Sequence, residues 1–320
     1  MKHHYWILYT LLFLAACQNS DPIAKADDLA PWTATAIPGI EFKEHRIFLN
    51  LVESGDTLSF YTDTGGGRLI FPNAVKALKL PIDSSGSGEQ LMESVELKVS
   101  FEQRGLPAPE GPQFLLRQDM DGVSEMDAML GSSWFANKRW LFDYRNQQLS
   151  SLDSIRWDRV PELGTIPVYF LKDSLGMALT HFPRIDIVVD RDTISTLFDS
   201  GATAYIKEEY QSQFAGFSAV ATSFMSARYF DQWREEHPEW PHLKQADTRI
   251  GEDMIQVPEI SIAGQTVGPV WFARRENKNF IEFMSQWMDE TVHGAIGGSV
   301  FAHFEQVVID YPAGKAYFKR

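Results

Sequence analysis

Two aspartates stand in the same local sequence in the two halves of the chain. Asp63 lies in the stretch 60–66, FYTDTGG, and Asp199 lies in 196–202, TLFDSGA, each an apolar strand running into Asp-Thr/Ser-Gly. The repetition suggests a duplicated lobe that brings the two carboxyl groups together. Two adjacent carboxyl groups cannot both ionise comfortably, so they share a proton. The ionised group can then take a proton from water while the protonated one polarises a carbonyl oxygen, with no metal or covalent intermediate.

The sequence after each aspartate repeats as well. MLGSSWFA at 129–136 is followed by LFDY at 141–144, and AIGGSVFA at 295–302 is followed by VIDY at 308–311. From the first glycine of each segment to the aspartate of its Asp-Tyr pair, the spacing is 12 residues in one copy and 13 in the other. The short triplet alone is common by chance, whereas the whole succession is specific.

The sequence before each aspartate predicts a β-hairpin. Alternating apolar residues at 46–62 are interrupted by a turn at 54–56, and those at 184–196 by a turn at 190–192. Finding the repeat first decides the fold class, because a duplicated unit of strands predicts an all-β dominated protein.

Over roughly residues 40–320 the sequence resembles the aspartic peptidases of the pepsin and retropepsin superfamily. The resemblance implies two homologous β-barrel lobes related by pseudo-twofold symmetry, each giving one aspartate to a catalytic dyad of Asp63 and Asp199. It also implies that the loops are braced against each other by the residues that follow each aspartate, namely Thr64, Gly65, Ser200 and Gly201.

The first residues predict a targeting segment. Residues 1–16 carry an apolar run too short to span a bilayer, and Leu-Ala-Ala-Cys at 14–17 resembles a bacterial lipobox. That resemblance implies cleavage before Cys17, the single cysteine of the chain, and lipidation of its sulfur. We expect a polar tether at 17–36, a first lobe at 37–152, a linker at 153–164 and a second lobe at 165–320.

The segment 82–89 is flexible by composition and occupies the place of the flap that closes over a bound peptide in the resembled family. Its flap candidates are Ser85, Gly86, Ser87 and Gly88. The pepsin pattern has a Tyr in or just after this segment, and this sequence does not. Met92 or a residue from elsewhere therefore supplies the lid contact, or the site is not built for hydrolysis.

The second half contains an insertion. Asp63 and Gly131 are 68 residues apart, whereas Asp199 and Gly297 are 98 residues apart. The inserted sequence predicts a helix capped by Ser226 and ending before Pro238, and a second helical stretch at 280–288 with apolar residues at spacings of three and four. We expect these aromatic stripes to belong to the core, the alternative being a helical wall beside the cleft.

Composition excludes several functions. A net charge of −14, without clustered Lys and Arg, argues against nucleic acid as a partner. The eight histidines are scattered, with neither a His-Glu-x-x-His nor a His/Cys cluster, so we expect no metal and no cofactor. There is no Gly-x-Ser-x-Gly for a serine nucleophile either.

Together these features predict a lipid-anchored aspartic endopeptidase of the bacterial cell envelope, periplasmic or on the outer membrane or cell surface. Its partners would be peptide or protein substrates and the lipid bilayer. The alternatives are a catalytically silent pepsin-like peptide-binding module and, more weakly, a peptide-clamping partner of another envelope protein. Many acid-working relatives carry Ser or Thr after the motif glycine, but Gly66 and Ala202 offer no hydroxyl to stabilise the charged carboxylate, so we expect activity near neutral pH.

Overall fold

A computed structural model describes residues 30–53, 55–85, 92–97, 99, 101–109, 111–117 and 126–320. The predicted signal peptide, Cys17 and the flap candidates Gly86, Ser87 and Gly88 lie outside the described residues. Among the residues that are described, no helix combines the length and apolar character needed to cross a bilayer.

The strands of the first half follow the predicted alternation of apolar and polar residues. They are β1 (Trp32–Ala36), β2 (Ile40–Lys43), β3 (Arg46–Glu53), β4 (Asp56–Thr62), β5 (Leu69–Ile70), β6 (Ile82–Ser85), β7 (Met92–Glu96), β8 (Gln113–Leu116), β9 (Ala128–Leu130), β10 (Arg139–Asp143), β11 (Gln148–Ile155) and β12 (Thr165–Pro167).

The strands of the second half are equally short. They are β13 (Arg184–Val189), β14 (Asp192–Phe198), β15 (Thr203–Tyr205), β16 (Ala219–Ala221), β17 (Ser223–Ser226), β18 (His242–Asp247), β19 (Glu252–Val257), β20 (Ile260–Ile262), β21 (Gln265–Val267), β22 (Val270–Arg275), β23 (Gly294–Ile296), β24 (Gln306–Asp310) and β25 (Lys315–Lys319). The prediction of an all-β dominated fold is confirmed.

Helices are few and short. The α-helices are α1 (Pro72–Leu78), α2 (Ser132–Phe135), α3 (Ala227–Glu236) and α4 (Gly298–Phe301). Single turns of 3-10 helix occur at Glu102–Arg104 and Trp157–Arg159, a longer one at Glu208–Phe214, and a π-helical segment at Lys278–Phe283 runs into a 3-10 turn at Met284–Trp287.

Two large sheets repeat one succession of strand pairings. In the eight-stranded sheet, β4 pairs parallel with β9, β9 antiparallel with β5, β5 parallel with β8, and β8 and β6 both antiparallel with β7. In the nine-stranded sheet the same succession runs through β14, β23, β17, β22, β19 and β18. The predicted hairpins β3–β4 and β13–β14 enter these sheets in regular antiparallel register.

A third sheet combines strands from both halves of the chain. Its six strands lie in the order β1, β11, β10, β24, β25 and β12, with β10 and β24 paired antiparallel at its centre. These two strands carry the repeated Asp-Tyr pairs. Asp143 accepts hydrogen bonds from Asn146 and Gln306, and Asp310 accepts one from the Trp157 Nε1, so both aspartates anchor turns and strand ends.

The core is continuous between the sheets. Phe198, the residue before Asp199, stacks on Phe301 of α4 at a centroid distance of 4.2 Å and lies 6.0 Å from Phe142 of β10. All three rings are fully buried. Burying one such side chain contributes about 1.5–3 kcal/mol, so the aromatic cluster fixes the end of β14 where Asp199 begins.

The predicted tether and the predicted linker both contain residues of regular strands. Residues 32–36 of the predicted tether form β1, which pairs with β11, and β11 extends to Ile155, inside the predicted linker. The segment between Asp199 and Gly297 holds α3 but also strands β15 to β23, so it is a mixture of strands and helices.

The prediction that the Ser226 side chain caps a helix is wrong. Ser226 precedes α3, but its hydroxyl makes no capping bond, and the Asn277 Oδ1 accepts the hydrogen bond from the Arg228 N–H instead (2.9 Å). The reason is that Ser226 is also the last residue of β17, and its side chain is fully buried.

Most apolar residues of the two predicted helical stretches belong to the core, as predicted, but Trp287 of the second stretch is exposed. Phe230 and Trp233 are buried in the main core, and Phe280, Met284 and Met288 pack in a cluster beside Leu197 of β14.

Candidate active site

Asp63 and Asp199 follow directly on the central strands β4 and β14. The backbone N–H of Asp63 donates to the Leu130 carbonyl (3.0 Å), and that of Asp199 donates to the Ile296 carbonyl (2.9 Å). Each aspartate is thus held by the parallel neighbour of its own strand. The apolar residues of the two repeated apolar-apolar-Gly segments form these neighbours, β9 and β23.

The glycine after each parallel strand allows a close crossing of the chain. A Cβ on Gly131 would collide with the backbone carbonyls of Gly66 and Gly67, and one on Gly297 would collide with the Thr222 carbonyl. The Ser132 N–H then donates to the Gly66 carbonyl (2.8 Å), which ties α2 to the loop after Asp63. These contacts between backbone atoms position the loop without any contribution from side chains.

The two carboxyl groups meet between the sheets at one cavity, close enough to interact directly with each other. We call this pair the dyad. The Asp63 Oδ1 also accepts from the Gly65 N–H (2.8 Å), and the Asp199 Oδ1 from the Gly201 N–H (3.0 Å). A Cβ on Gly65 would lie 2.7 Å from the Asp199 Cγ, and one on Gly201 would collide with the Asp63 carboxyl group, so only glycine permits this approach.

Burial makes the dyad hold a proton. It raises the pKa of Asp63, against hydrogen bonds from Asp199, Gly65 and Gly66 that favour the charged form. Burial also raises the pKa of Asp199 well above its ordinary value, and the negative charge of Asp63 adds to this effect. Two buried carboxyl groups this close share one proton, and the pair titrates as a unit.

Thr64 and Ser200 cross between the two loops. The Thr64 hydroxyl donates to the Phe198 carbonyl (2.7 Å) and accepts from the Ser200 N–H (2.9 Å). The Ser200 hydroxyl accepts from the Thr64 N–H (3.1 Å) and donates to the Thr62 carbonyl (3.2 Å). Both side chains are fully buried, so these four bonds are shielded from water.

The dyad faces a cavity of about 380 Å³. This volume is within the range of small-molecule and peptide-side-chain sites. The described residues that line it are apolar or aromatic on one side and basic on another: Tyr61, Asp63, Met126, Met129, Asp199, Gly201, Thr203, Tyr205, Phe224, Arg249, Ile250 and Arg275.

Tyr61 is a cavity residue that the sequence analysis missed. Its hydroxyl donates to the Gly201 carbonyl (2.9 Å) and shares a hydrogen bond with the Thr203 hydroxyl (2.7 Å). The signal was present, because side chains two residues apart on a strand share one face and Tyr61 precedes Asp63 by two. Tyr61 lies outside the flap segment. A residue from outside that segment is one of the sources that the sequence left open for the lid contact.

The flap segment is described only at its base. Strands β6 and β7 form a hairpin in which Ser85 pairs with Met92, and both residues are exposed. Met92 is not among the described residues that line the cavity. The aromatic residues of α3 and of the stretch 280–288 do not line it either, so the alternative of a helical wall beside this cavity is not supported.

The residues after the motif glycines fit closely around the carboxyl groups. A Cβ on Gly66 would lie 2.5 Å from the Asp63 Oδ2, so a larger residue would have to displace that oxygen. Ala202 is buried, and its N–H donates to the main-chain carbonyl of Asp199 (3.3 Å). The expected activity near neutral pH remains a prediction.

One group of side chains outside the cavity has the composition of a metal site. Asp190, Glu236 and His237 each offer a ligand atom within 4.8 Å of the others. The two carboxylates are exposed, and the His237 ring stacks on Trp240 at 4.1 Å. Exposed acidic groups commonly cluster in this way, so we assign no site to them.

No protein-family model matches the sequence, and no curated protein matches it either. Among solved structures, it is similar to a retropepsin-like aspartic protease from Rickettsia conorii, at 14% identity and a TM-score of 0.24, over 48% of this chain and 89% of that one. It is also similar to an aspartic proteinase from Irpex lacteus, at 9% identity and a TM-score of 0.46, over 90% and 98% of the two chains. Conglutin gamma, a basic 7S globulin from lupine seeds, has 7% identity and a TM-score of 0.38, over 88% and 93%. These similarities are weak, and the chemistry of the dyad has to follow from the site itself.

Proposed function

We propose that the protein is an aspartic endopeptidase, which cleaves peptide bonds with Asp63, Asp199 and a water molecule. The observation that carries the proposal is the close approach of two buried carboxyl groups on cross-braced loops at a cavity. Structural roles explain this arrangement poorly, because burying two acids together destabilises the folded protein.

The chemistry follows from one shared proton. Burial and the charge of Asp63 favour the proton on Asp199, so Asp63 is the base. The Asp63 carboxylate takes a proton from water, the water oxygen attacks the peptide carbonyl carbon, and Asp199 gives its proton to the carbonyl oxygen. The resulting diol collapses when the amide nitrogen receives the proton held by Asp63 and the C–N bond breaks, with one diol proton returning to the dyad.

We further propose that the eight- and nine-stranded sheets are two lobes related by pseudo-twofold symmetry. Support comes from the identical succession of parallel and antiparallel pairings after β4 and after β14. In this arrangement, Thr64, Gly65, Ser200 and Gly201 keep the two loops in register across the axis. A substrate would lie extended between the lobes and pair with the β6–β7 hairpin as an added strand.

A mixed peptide pool tests the activity. We expect the natural protein to cleave peptides and both Asp63→Asn and Asp199→Asn to lose cleavage, whereas Asp158→Asn, an exposed aspartate outside the cavity, keeps it. Equal cleavage by the dyad variants and the natural protein would refute the proposal. Intact peptides that co-purify with the natural protein would instead support the peptide-binding module.

We also propose that Cys17 carries a lipid that holds the protein in the bacterial cell envelope. The support is the lipobox-like sequence around the only cysteine. Metabolic labelling with an alkyne fatty acid tests this: label should appear on the natural protein in the membrane fraction and disappear in Cys17→Ser. Labelling that persists in Cys17→Ser would contradict the assignment.

A further inference from the structure

The hairpin β18–β19 brings a second structural element to the cavity of the dyad. Its turn at 248–251 joins the two strands, and Arg249 and Ile250 of this turn line the cavity together with Asp63 and Asp199. In the succession of pairings, β18 and β19 hold the places that β6 and β7 hold in the other sheet. The turn thus corresponds in topology to the turn of the β6–β7 hairpin, and two of its residues line the cavity.

The turn is fixed by hydrogen bonds to the buried Asp247 side chain and to the backbone of Tyr205. The side chain of Asp247, only 1% exposed, accepts hydrogen bonds from the Arg249 N–H (3.2 Å) and the Tyr205 N–H (3.4 Å). The Thr248 N–H and hydroxyl both donate to the Tyr205 carbonyl, at 2.7 Å and 3.0 Å. Since Tyr205 ends β15, which begins four residues after Asp199, the turn is tied to the strand that follows the dyad loop. A side chain held on such a base is preorganised for binding.

The charges of the cavity leave Arg249 uncompensated. Arg275 pairs with Asp247 (2.9 Å), and its guanidinium lies 3.8 Å from the centre of the Phe224 ring. Arg249 lies over the Tyr205 ring at 5.8 Å, and no described carboxylate forms an ion pair with its guanidinium. Arg249 is exposed and lines the cavity, so its guanidinium is open to a carboxylate that enters from outside.

We propose that Arg249 forms a specificity subsite for a carboxylate of the peptide that occupies the cavity. This inference rests on the proposed function, since it names the substrate class of the same site. The carboxylate is either an Asp or Glu side chain near the scissile bond or the free carboxyl terminus of the peptide. Arg275 adds positive potential behind Arg249 but remains engaged with Asp247.

Paired peptides test the subsite. In a cleaved peptide, each Asp or Glu is replaced by its amide, and the free terminus by a terminal amide, so that the sensitive change identifies the source of the carboxylate. We expect the favoured acidic peptide to have a KM about 10- to 100-fold lower than its amide partner, with a similar kcat, because a charge-assisted bond to a remote group contributes to binding throughout the reaction.

Substitutions of Arg249 test whether this side chain is responsible for the preference. Arg249→Gln should abolish the difference between the acidic peptide and its amide partner, and Arg249→Glu should favour a Lys-containing peptide instead. Arg191→Gln is the matched control, because Arg191 is an exposed arginine outside the cavity, and it should leave the preference unchanged.

Equilibrium binding separates the subsite from catalysis. Fluorescence anisotropy of the same labelled peptides on Asp63→Asn should show the same acidic preference and its loss in Asp63→Asn/Arg249→Gln. Preference in binding without cleavage by the natural protein would overturn the peptidase function but support the subsite. Absence of any acidic preference in both readouts, or a preference that Arg249→Gln leaves intact, would overturn the subsite.

Discussion

Replacing Thr64 by Val removes the hydroxyl that braces the two dyad loops and keeps the shape of the side chain. The Thr64 hydroxyl donates to the Phe198 carbonyl and accepts from the Ser200 N–H, at 2.7 Å and 2.9 Å, and Thr64 is fully buried. The variant therefore leaves one carbonyl and one N–H without these partners, away from water. Each such loss costs about 1–3 kcal/mol, so we expect the free energy of unfolding to fall by about 2–4 kcal/mol.

Thr62→Val is the matched control. Thr62 is equally buried and only two residues away, but its hydroxyl makes a single bond, to the Ile47 carbonyl (3.0 Å). We expect the control to cost about 1 kcal/mol. Urea unfolding followed by tryptophan fluorescence and by circular dichroism measures both variants, and unchanged slopes would show that the denatured state is unaffected.

The same pair of variants tests the link between bracing and chemistry. We expect kcat/KM for a cleaved peptide to fall by about 100-fold in Thr64→Val, because small displacements of reacting groups have large effects on rate, and much less in Thr62→Val. Equal stability losses in the two variants would refute the assignment of the crossed hydrogen bonds as the brace of the dyad.

Three further predictions concern the dyad. Burial raises the pKa of Asp199, so the folded protein binds this proton more tightly than the unfolded chain does. The free energy of unfolding therefore falls as the pH rises above about 4, the ordinary pKa of an aspartate. Asp199→Asn should be more stable than the natural protein in urea at pH 7, with the difference gone at pH 3. Ala202→Ser places a hydroxyl beside Asp199 that favours the charged carboxylate and lowers the pKa of this general acid, so the basic limb of the pH–rate profile should move to lower pH by about one unit or less; an unchanged basic limb would contradict this role. A Cβ at Gly201 would collide with the Asp63 carboxyl group, so Gly201→Ala should lower kcat/KM by about 100-fold or more while circular dichroism shows a retained fold; full activity would contradict the close approach.

The duplicated pattern of the sequence predicted the elements closest to the dyad. Hairpins β3–β4 and β13–β14 follow from the alternation of apolar residues and from the turns that interrupt it. The approach of Asp63 and Asp199 also followed from the sequence. A motif that occurs twice in one chain predicts two equivalent loops, and these loops can pair with each other.

The elements that the sequence did not predict depend on contacts distant along the chain. Strand β1 is exposed along most of its length and exists because β11 offers it an edge more than a hundred residues later. Tyr61 carried a local signal that was overlooked. Arg249 carried none, since its place in the cavity depends on Asp247 bonding to Tyr205 and Arg275.

Carbon-13 NMR of the protein labelled at the Asp carboxyl carbons measures most directly whether Asp63 and Asp199 hold one proton between them. At neutral pH we expect one signal at a protonated-carboxyl position, which moves only at higher pH. It should be lost in Asp199→Asn, whereas in Asp63→Asn it should titrate at lower pH than in the natural protein, because the charge of Asp63 is gone. Spectra in which every aspartate is fully ionised at neutral pH, or in which the two substitutions leave the protonated signal unchanged, would contradict the shared proton and the chemistry derived from it.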